Sequence, residues 1–385
     1  MVSNISRIWN KIEQAAEDEI ISGAVAMIWH DGDIVLHDAT GWAVREPANE
    51  RTPMVLDTIF DLASLTKVVA TTPAVLQLVA SNKVGLDEPV GTYIPEFGTE
   101  GAKRDVTIRN LLSHSSGIVS WAGPYTEVTG VDAYMEYIAR TQPYAEPNTQ
   151  AEYSCLGFIT LGEVVHRLTG QNIAEYSWRH VFRPLGMEDT GYLPSPALRN
   201  RIAATEIGNH FERPMAGAAP VNGWREYLLR GEVHDGNAWY GLGGIAGNAG
   251  LFGTANDLLR YARMWLNGGV LDGIRILPEE IVREATLEQT GLSAPNDRRG
   301  LGWQMVPHPE SEETVASGRG LSERAYGHTG FTGTSMWIDP ERRLISILLT
   351  NRVHPQVVDG WGSVRAEISG LLAKEFAVIE DGARL

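Results

Sequence analysis

A serine and a lysine three residues apart form the pair with the clearest chemical potential in this sequence. They lie in the segment Ser64-Leu65-Thr66-Lys67, which opens a mostly apolar stretch. Residues i and i+3 share one face of a helix, so we expect the hydroxyl and the amine to be in contact. A poorly hydrated lysine amine can remove the proton of a serine hydroxyl and make it nucleophilic. The spacing therefore predicts a nucleophilic Ser64, with a helix cap at Ser64 and a solvated Lys67 as the alternative.

A second segment could move protons to or from this pair. Tyr153 stands at the start of a predicted helix in the middle of the chain. A phenol there can exchange a proton with Lys67 or with a leaving group, and the alternative is that Tyr153 fills a seam between two lobes. Lysine and tyrosine have ordinary pKa values near about 10, so a base active at neutral pH needs a shift of about three units. We expect burial and mutual proximity of the two groups to supply that shift.

A third segment, residues 327–333, is rich in glycine and threonine and leads into a predicted strand. Small residues let a substrate backbone approach the edge of a strand. A free backbone N–H at such an edge can stabilise an oxyanion. The alternative is a glycine-rich bulge at the entry to the strand.

The elements that must position these segments form two groups. The first group lies at the chain ends: an amphipathic N-terminal helix, a hairpin of strands 23–30 and 34–43, strands 332–338 and 344–350, and a helix over 364–376. The second group is helical and lies between them, over 71–80, 108–112, 132–140, 158–168 and 173–182. We therefore predict an α+β fold in which an antiparallel sheet from the N- and C-terminal segments is flanked by helices, with a mostly helical lobe inserted. The predicted lobes are 1–67 and 236–385 for the α/β part and 68–235 for the helical part.

Composition narrows the classes of partner. The 385 residues carry a formal net charge of −16, which argues against nucleic acid and against anionic membranes as partners. The single cysteine, Cys155, excludes an internal disulfide, and no apolar run is long enough for a signal peptide or a membrane span. We therefore expect a cytoplasmic protein. Metal-binding spacings such as His-Glu-x-x-His or paired cysteines are absent from the sequence, so no metal or cofactor is expected.

Taken in order, the three segments resemble the serine β-lactamase and penicillin-binding-protein superfamily, whose signature includes Ser-x-x-Lys and a Lys-Thr-Gly strand. The likeness is closest to the class C-like branch, which includes family VIII-type carboxylesterases, D-amino-acid peptidases and amidases. Residues 60–67, 111–117 and 250–258 are also similar to blocks of this branch. The resemblance extends from about residue 23 to residue 351 and implies a β-lactamase/transpeptidase-like fold.

The resemblance also implies roles for individual residues. Ser64 would be acylated, Lys67 would help to deprotonate it, and Tyr153 would pass a proton to or from the leaving group. The backbone N–H groups of Ser64 and Phe331 would form the oxyanion hole. Four further residues would line the edge along which substrate lies: Cys155, His328, Thr329 and Gly330.

Two positions depart from the lactamase pattern. Cys155 stands where lactamases carry an asparagine, and a thiol is a poor partner for a substrate amide. His328 replaces a permanently charged lysine with an imidazole that is mostly neutral at pH 7. Both changes favour a carboxylesterase acting on small esters or amides, with weak or no β-lactamase activity. The alternatives are a D,D-peptidase, D-aminopeptidase or cell-wall-fragment amidase of the same superfamily, and a non-catalytic relative that uses the cleft for binding or regulation.

Overall fold

Strands from both ends of the chain form one antiparallel sheet in this computed structural model, which describes residues 4–98, 103–290, 297–307 and 318–377. The strands of this part are β1 Gly23–His30, β2 Asp33–Val44, β3 Thr52–Pro53, β4 Phe60–Asp61, β5 Gly191–Tyr192, β6 Leu251–Gly253, β7 Val270–Leu271, β8 Ile274–Arg275, β9 Gln304–Met305, β10 Tyr326–Thr329, β11 Ser335–Asp339 and β12 Leu344–Thr350. The main sheet has the order β3-β2-β1-β12-β11-β10-β9, and every neighbouring pair is antiparallel. The predicted α+β fold is therefore confirmed.

Helices cover both faces of the sheet. They are α1 Asn4–Glu17, α2 Thr72–Ala80, α3 Ile108–Leu112, α4 Val131–Arg140, α5 Cys155–Thr169, α6 Ile173–Ser177, α7 Arg213–Ala216, α8 Ala255–Leu266, α9 Glu279–Ala285 and α10 Trp361–Glu375. Helices α1 and α10 pack together on one face, and α8 packs across β1, β11 and β12 on the other. Among the described residues, no helix combines the length and the apolar character that crossing a bilayer requires.

Strand β1 shows how the sequence pattern builds these layers. Alternate side chains of a strand point to opposite faces of its sheet. The side chains of Val25, Met27 and Trp29 enter the large core that includes residues of α2, α5 and α8. Those of Ala24, Ala26 and Ile28 enter a second core with residues of α1 and α10. Both faces of β1 are therefore buried, which explains its nearly continuous apolar run.

The turn before β11 differs from the sequence prediction. A strand was expected from residue 332, whereas β11 begins at Ser335. The N–H of Gly330 donates to the carbonyl of Thr334 at 2.7 Å, and the N–H of Gly333 donates to that of Gly330 at 3.0 Å. Gly333 has a φ of 106°, which a residue with a side chain rarely adopts. These bonds form a tight turn in which residues 330–334 approach the segment before Ser64.

Candidate active site

Ser64 follows a strained turn at the entry to a helical segment. The preceding residue, Ala63, has a φ of 47°, in the left-handed region that a residue with a Cβ rarely occupies. The carboxylate of Asp61 accepts a hydrogen bond from the Ala63 N–H at 2.9 Å and thereby holds the turn. A π-helical turn, Lys67–Thr71, then leads into α2. Strained backbone of this kind persists only where the surroundings hold it, and it is concentrated at functional sites.

The turn before β11 holds the strained backbone at Ala63 in place. The hydroxyl of Thr332 donates to the carbonyl of Asp61 at 2.8 Å, and the hydroxyl of Thr334 donates to that of Leu62 at 3.1 Å. A Cβ on Gly330 would lie 2.2 Å from the Thr334 hydroxyl oxygen and 2.6 Å from the Leu62 carbonyl oxygen. A side chain at position 330, just after β10, would therefore collide with Thr334 and with the backbone that precedes Ser64, so only glycine fits there.

Lys67 and Tyr153 both donate hydrogen bonds to the Ser64 hydroxyl. The distances to Ser64 Oγ are 3.1 Å from Lys67 Nζ and 2.7 Å from the Tyr153 hydroxyl. Lys67 is completely buried, and its Nζ also lies 3.0 Å from the Asn248 carbonyl oxygen and 3.5 Å from Cys155 Sγ. These three acceptors satisfy an ammonium group. A neutral amine could instead keep the Asn248 and Cys155 contacts and direct its lone pair at Ser64.

The pKa directions show where the protons of this site rest. Burial alone lowers the pKa of Lys67, but negative charge on Cys155 or Tyr153 raises it, and the balance lies above the ordinary value. Burial also raises the pKa of Tyr153 and of Cys155, although the nearby Lys67 opposes this. The charge states of the three groups therefore depend on one another: negative charge on Tyr153 or Cys155 favours the ammonium form of Lys67, and without that charge burial favours the neutral amine. We expected burial and mutual proximity to bring the pKa of Lys67 or Tyr153 down towards neutral pH. Both shifts lie in the opposite direction in the ligand-free site.

The ring of Tyr153 is held between other side chains. The His114 ring centroid lies 4.6 Å away and the His328 centroid 5.8 Å away. The Lys67 ammonium and the Arg299 guanidinium lie 4.7 Å and 5.6 Å from the Tyr153 ring centroid. Cations near an aromatic face are attracted by its quadrupole, so this arrangement restrains the phenol from several sides.

His328 is packed against Tyr153 and does not line the pocket beside Ser64. Its side chain is 3% exposed, and its Nδ1 lies 2.8 Å from the Thr329 carbonyl oxygen, so the proton is on Nδ1. Burial, followed by the charges of Arg299 and Lys67, lowers the pKa of His328 well below its ordinary value. The imidazole is therefore neutral, as its residue type indicated. The predicted contact of His328, Thr329 and Gly330 with substrate stays a prediction.

A cavity of about 180 Å³ opens beside Ser64. The predicted residues Ser64, Tyr153, Cys155 and Phe331 lie in its wall. The other lining residues are Ala63, Trp121, Phe211, Glu212, Met215, His234, Asp235 and Ala249. Three polar members of this second set, Glu212, His234 and Asp235, were not predicted, because they belong to no motif and only the fold brings them to Ser64.

The two backbone N–H groups predicted to form an oxyanion hole are free to donate. Within the described part of the chain, neither the Ser64 N–H nor the Phe331 N–H has a protein acceptor. Phe331 is held in place by its carbonyl, which accepts from Arg352 Nε at 2.8 Å, and by its ring, 4.9 Å from that of Phe211. Unused donors beside a serine hydroxyl are what an oxyanion hole requires.

Comparisons with known proteins agree with this architecture. The family described as Beta-lactamase matches residues 9–368. The N-acetylmuramyl-L-alanine amidase of Bacillus subtilis is 33% identical over 371 residues, which cover 91% of this chain and 82% of the relative. A protein of Escherichia coli, provisionally named a D-alanyl-D-alanine carboxypeptidase, is 31% identical over 353 residues, or 86% of this chain and 79% of that protein.

Solved structures show the same fold at lower sequence identity. The hydrolase EstCE1, described as having promiscuous acyltransferase activity, superposes with a TM-score of 0.72 at 21% identity over 95% of this chain and 98% of its own. A class C β-lactamase of Rhodobacter sphaeroides gives 0.70 at 21% identity with the same coverage. The match to the family over nearly the whole chain, together with the fold, shows that this chain belongs to the β-lactamase family of serine hydrolases.

Proposed function

We propose that Ser64 is the nucleophile of an acyl-enzyme mechanism and that the enzyme cleaves small esters or amides. The observation that carries this proposal is the pair of hydrogen bonds to Ser64 Oγ, 3.1 Å from Lys67 and 2.7 Å from Tyr153, at the wall of a cavity that can admit a substrate. A serine that caps a helix or a purely structural lysine would require neither the phenol nor the cavity.

The proposed reaction has two halves. In the first, Lys67 in its neutral form accepts the hydroxyl proton while Ser64 Oγ attacks the carbonyl carbon, and the Ser64 and Phe331 N–H groups stabilise the oxyanion. Tyr153 relays the proton to the leaving oxygen or nitrogen, whose bond to the acyl carbon breaks. In the second half, water attacks the acyl carbon, one of its protons returns through Tyr153 and Lys67, and Ser64 is released. Each unit by which the Lys67 pKa exceeds the ambient pH costs about 1.4 kcal/mol, since the neutral amine is then a minor form.

The charges around Ser64 support substrates that have no carboxylate beside the scissile bond. β-Lactams and D-Ala-D-Ala peptides carry one. Here the cavity wall contains the carboxyl groups of Glu212 and Asp235. The nearby Arg299 forms an ion pair with Asp297 at 2.8 Å, which offsets its charge, and His328 is neutral. These features support an esterase or amidase over a lactamase or a carboxypeptidase.

A second candidate, an amidase acting on cell-wall fragments, is supported by the relatives. One of them, 33% identical over most of both chains, is named for the amide between N-acetylmuramic acid and L-alanine. Cleavage of such an amide needs the same nucleophile and proton relay. It differs from ester cleavage mainly because the leaving nitrogen must be protonated, which makes Tyr153 more important.

The test is a substrate panel run on the wild type and on Ser64→Ala. We expect turnover of p-nitrophenyl butyrate or of N-acetylmuramyl-L-alaninamide, which has no free carboxylate, by the wild type only. We also expect little or no hydrolysis of nitrocefin or a D-Ala-D-Ala peptide, and a fluorophosphonate adduct on Ser64 by mass spectrometry. Rapid nitrocefin turnover would contradict the substrate proposal. An unlabelled Ser64 with no turnover of any substrate would instead favour a non-catalytic relative.

A further inference from the structure

Two carboxyl groups lie in the wall of the cavity that also contains Ser64. Glu212 is 6% exposed, and its two oxygens accept from the Tyr125 hydroxyl at 2.9 Å and from the Gly236 N–H at 3.0 Å. Asp235 accepts from the Asn248 side-chain amide at 3.3 Å. All these donors are neutral, so they orient the carboxyl groups without cancelling their charge.

No lysine or arginine of the described chain forms a close ion pair with either carboxyl group, although Asp235 is near enough to Lys67 to help raise the pKa of its amine. Two arginines of the segment 212–235 form ion pairs with other carboxylates. Arg213 pairs with Glu226 at 2.9 Å, and Arg225 pairs with Glu232 at 3.4 Å. The His234 imidazole points to Glu206, 2.9 Å away. Among the described residues, neither Glu212 nor Asp235 lies within ion-pair distance of a lysine or arginine. Buried negative charge without a partner is costly, and proteins normally pair it or keep it for a ligand.

Three further observations indicate that this place receives a ligand. The cavity contains the nucleophile, so a substrate group must enter it whatever the role of the carboxyl groups. The rings of Trp121, Phe211 and Phe331 also line it, and aromatic faces attract cations. Finally, the fully buried Asn248, which donates to Asp235, has a side-chain oxygen without any donor in the described part of the chain. Such an atom is normally satisfied by water or by a ligand.

We propose that Glu212 and Asp235 bind a protonated amine of the substrate, so that the preferred substrates are esters or amides with an ammonium group close to the scissile carbonyl. This inference rests on the proposed hydrolytic function and narrows its substrate class. The cavity of about 180 Å³ beside Ser64 has room for an amino-acyl group. The free N–H groups of Ser64 and Phe331 would then hold the carbonyl oxygen while the carboxyl groups hold the amine.

The binding test uses the Ser64→Ala protein, so its result does not depend on turnover. Alaninamide, as each enantiomer, is compared with isobutyramide by calorimetric titration, because the two differ only by an ammonium in place of a methyl group. We expect at least one enantiomer of alaninamide to bind about tenfold or more tightly than isobutyramide. The preference should shrink as sodium chloride is raised, because salt screens charge.

Variants assign the preference to the two carboxyl groups. Adding Glu212→Gln and Asp235→Asn should reduce the affinity ratio of alaninamide to isobutyramide to about one. Adding Glu17→Gln, which removes an exposed carboxylate of α1 far in the sequence from the cavity residues, should leave the ratio unchanged. Equal affinities in the Ser64→Ala protein, tighter binding of isobutyramide, or no binding of either ligand would overturn the proposal, even if the cavity variants failed to fold. A fluorophosphonate adduct on wild-type Ser64 together with equal affinities would refute the ammonium site and leave the hydrolytic function standing.

Discussion

The imidazole Nδ1 of His114 accepts a hydrogen bond from the backbone N–H of Ser154 at 2.9 Å. The His114 carbonyl accepts a second one from the N–H of Glu152 at 2.8 Å, so one residue holds the chain on both sides of Tyr153. Burial, together with the nearby charges of Arg299 and Lys67, lowers the pKa of His114 well below its ordinary value, which keeps the Nδ1 lone pair available. His114 is therefore a positioning residue for the Tyr153 phenol.

Substitutions at His114 should change the rate of the chemical step more than substrate binding. His114 has a φ of 58°, so His114→Gly removes the acceptor without backbone strain, whereas His114→Asn keeps both an acceptor and a residue that tolerates this conformation. We expect kcat to fall by up to about 100-fold in His114→Gly with KM nearly unchanged, and to recover in part in His114→Asn. Steady-state kinetics on a p-nitrophenyl ester measure both constants. A wild-type kcat in His114→Gly would show that Tyr153 needs no such support.

The pH dependence of the reaction should reveal the protonation state of Lys67. Since the pKa of Lys67 lies above its ordinary value, the neutral amine is a minor form near pH 7 and increases about tenfold with each pH unit. We expect kcat/KM for an uncharged ester to rise from about pH 6 to about pH 9 without a plateau, after subtraction of the rate with Ser64→Ala. Lys67→Met should abolish the activity at every pH. A plateau below neutrality would mean that the amine is already deprotonated in the free enzyme.

The sequence was sufficient for the part of the site that rests on local spacing. Ser64 and Lys67 meet because a helical turn places positions i and i+3 together, and the hydrogen bond of 3.1 Å follows from that geometry. Glu212 and Asp235 lie 23 positions apart in the sequence and far from Ser64, within a segment that has few long regular elements. Their place in the cavity depends on tertiary packing that no period or motif encodes.

The fold, like the site, has one part that local sequence patterns predict and another part that they do not. The main strands and helices were predictable because their apolar residues repeat with periods of two or of about 3.6. The two-residue strands β4 and β5, which pair with β6 beside the segment of Ser64, are too short to show any period. The start of β11 was misplaced because Thr332 and Thr334 have the composition of a strand but use their hydroxyl groups to bind residues 61 and 62.

Gly247 is expected to be intolerant of a side chain. A Cβ there would lie 2.0 Å from the Phe158 carbonyl oxygen and 3.1 Å from the Gly162 nitrogen, both backbone atoms of α5. Gly247→Ala should lower the free energy of unfolding by about 3 kcal/mol, and it should lower kcat because the adjacent Asn248 carbonyl contacts Lys67. Urea denaturation and ester kinetics measure the two effects. Gly370→Ala in α10 is the matched control: a Cβ there meets nothing within 4 Å, so we expect a gain of about 0.5–1 kcal/mol and unchanged kinetics.

Glu212 should make the protein less stable as the pH rises. Burial, with the charge of Asp235 adding to it, raises the pKa of Glu212 from 4.5 to about 7. Between these values the folded protein keeps a proton that the unfolded chain releases, so the free energy of unfolding falls by up to about 1.4 kcal/mol per pH unit, or about 3 kcal/mol in all. Glu212→Gln cannot lose a proton and should escape this loss. Urea denaturation at about pH 5 and about pH 8 should therefore show the variant gaining on the wild type at the higher pH, whereas Glu17→Gln, at an exposed position of α1, should follow the wild type. If the curves of Glu212→Gln and the wild type stay parallel between the two pH values, the buried carboxyl is already balanced by a charge within the protein, and the unpaired negative charge in the cavity does not exist.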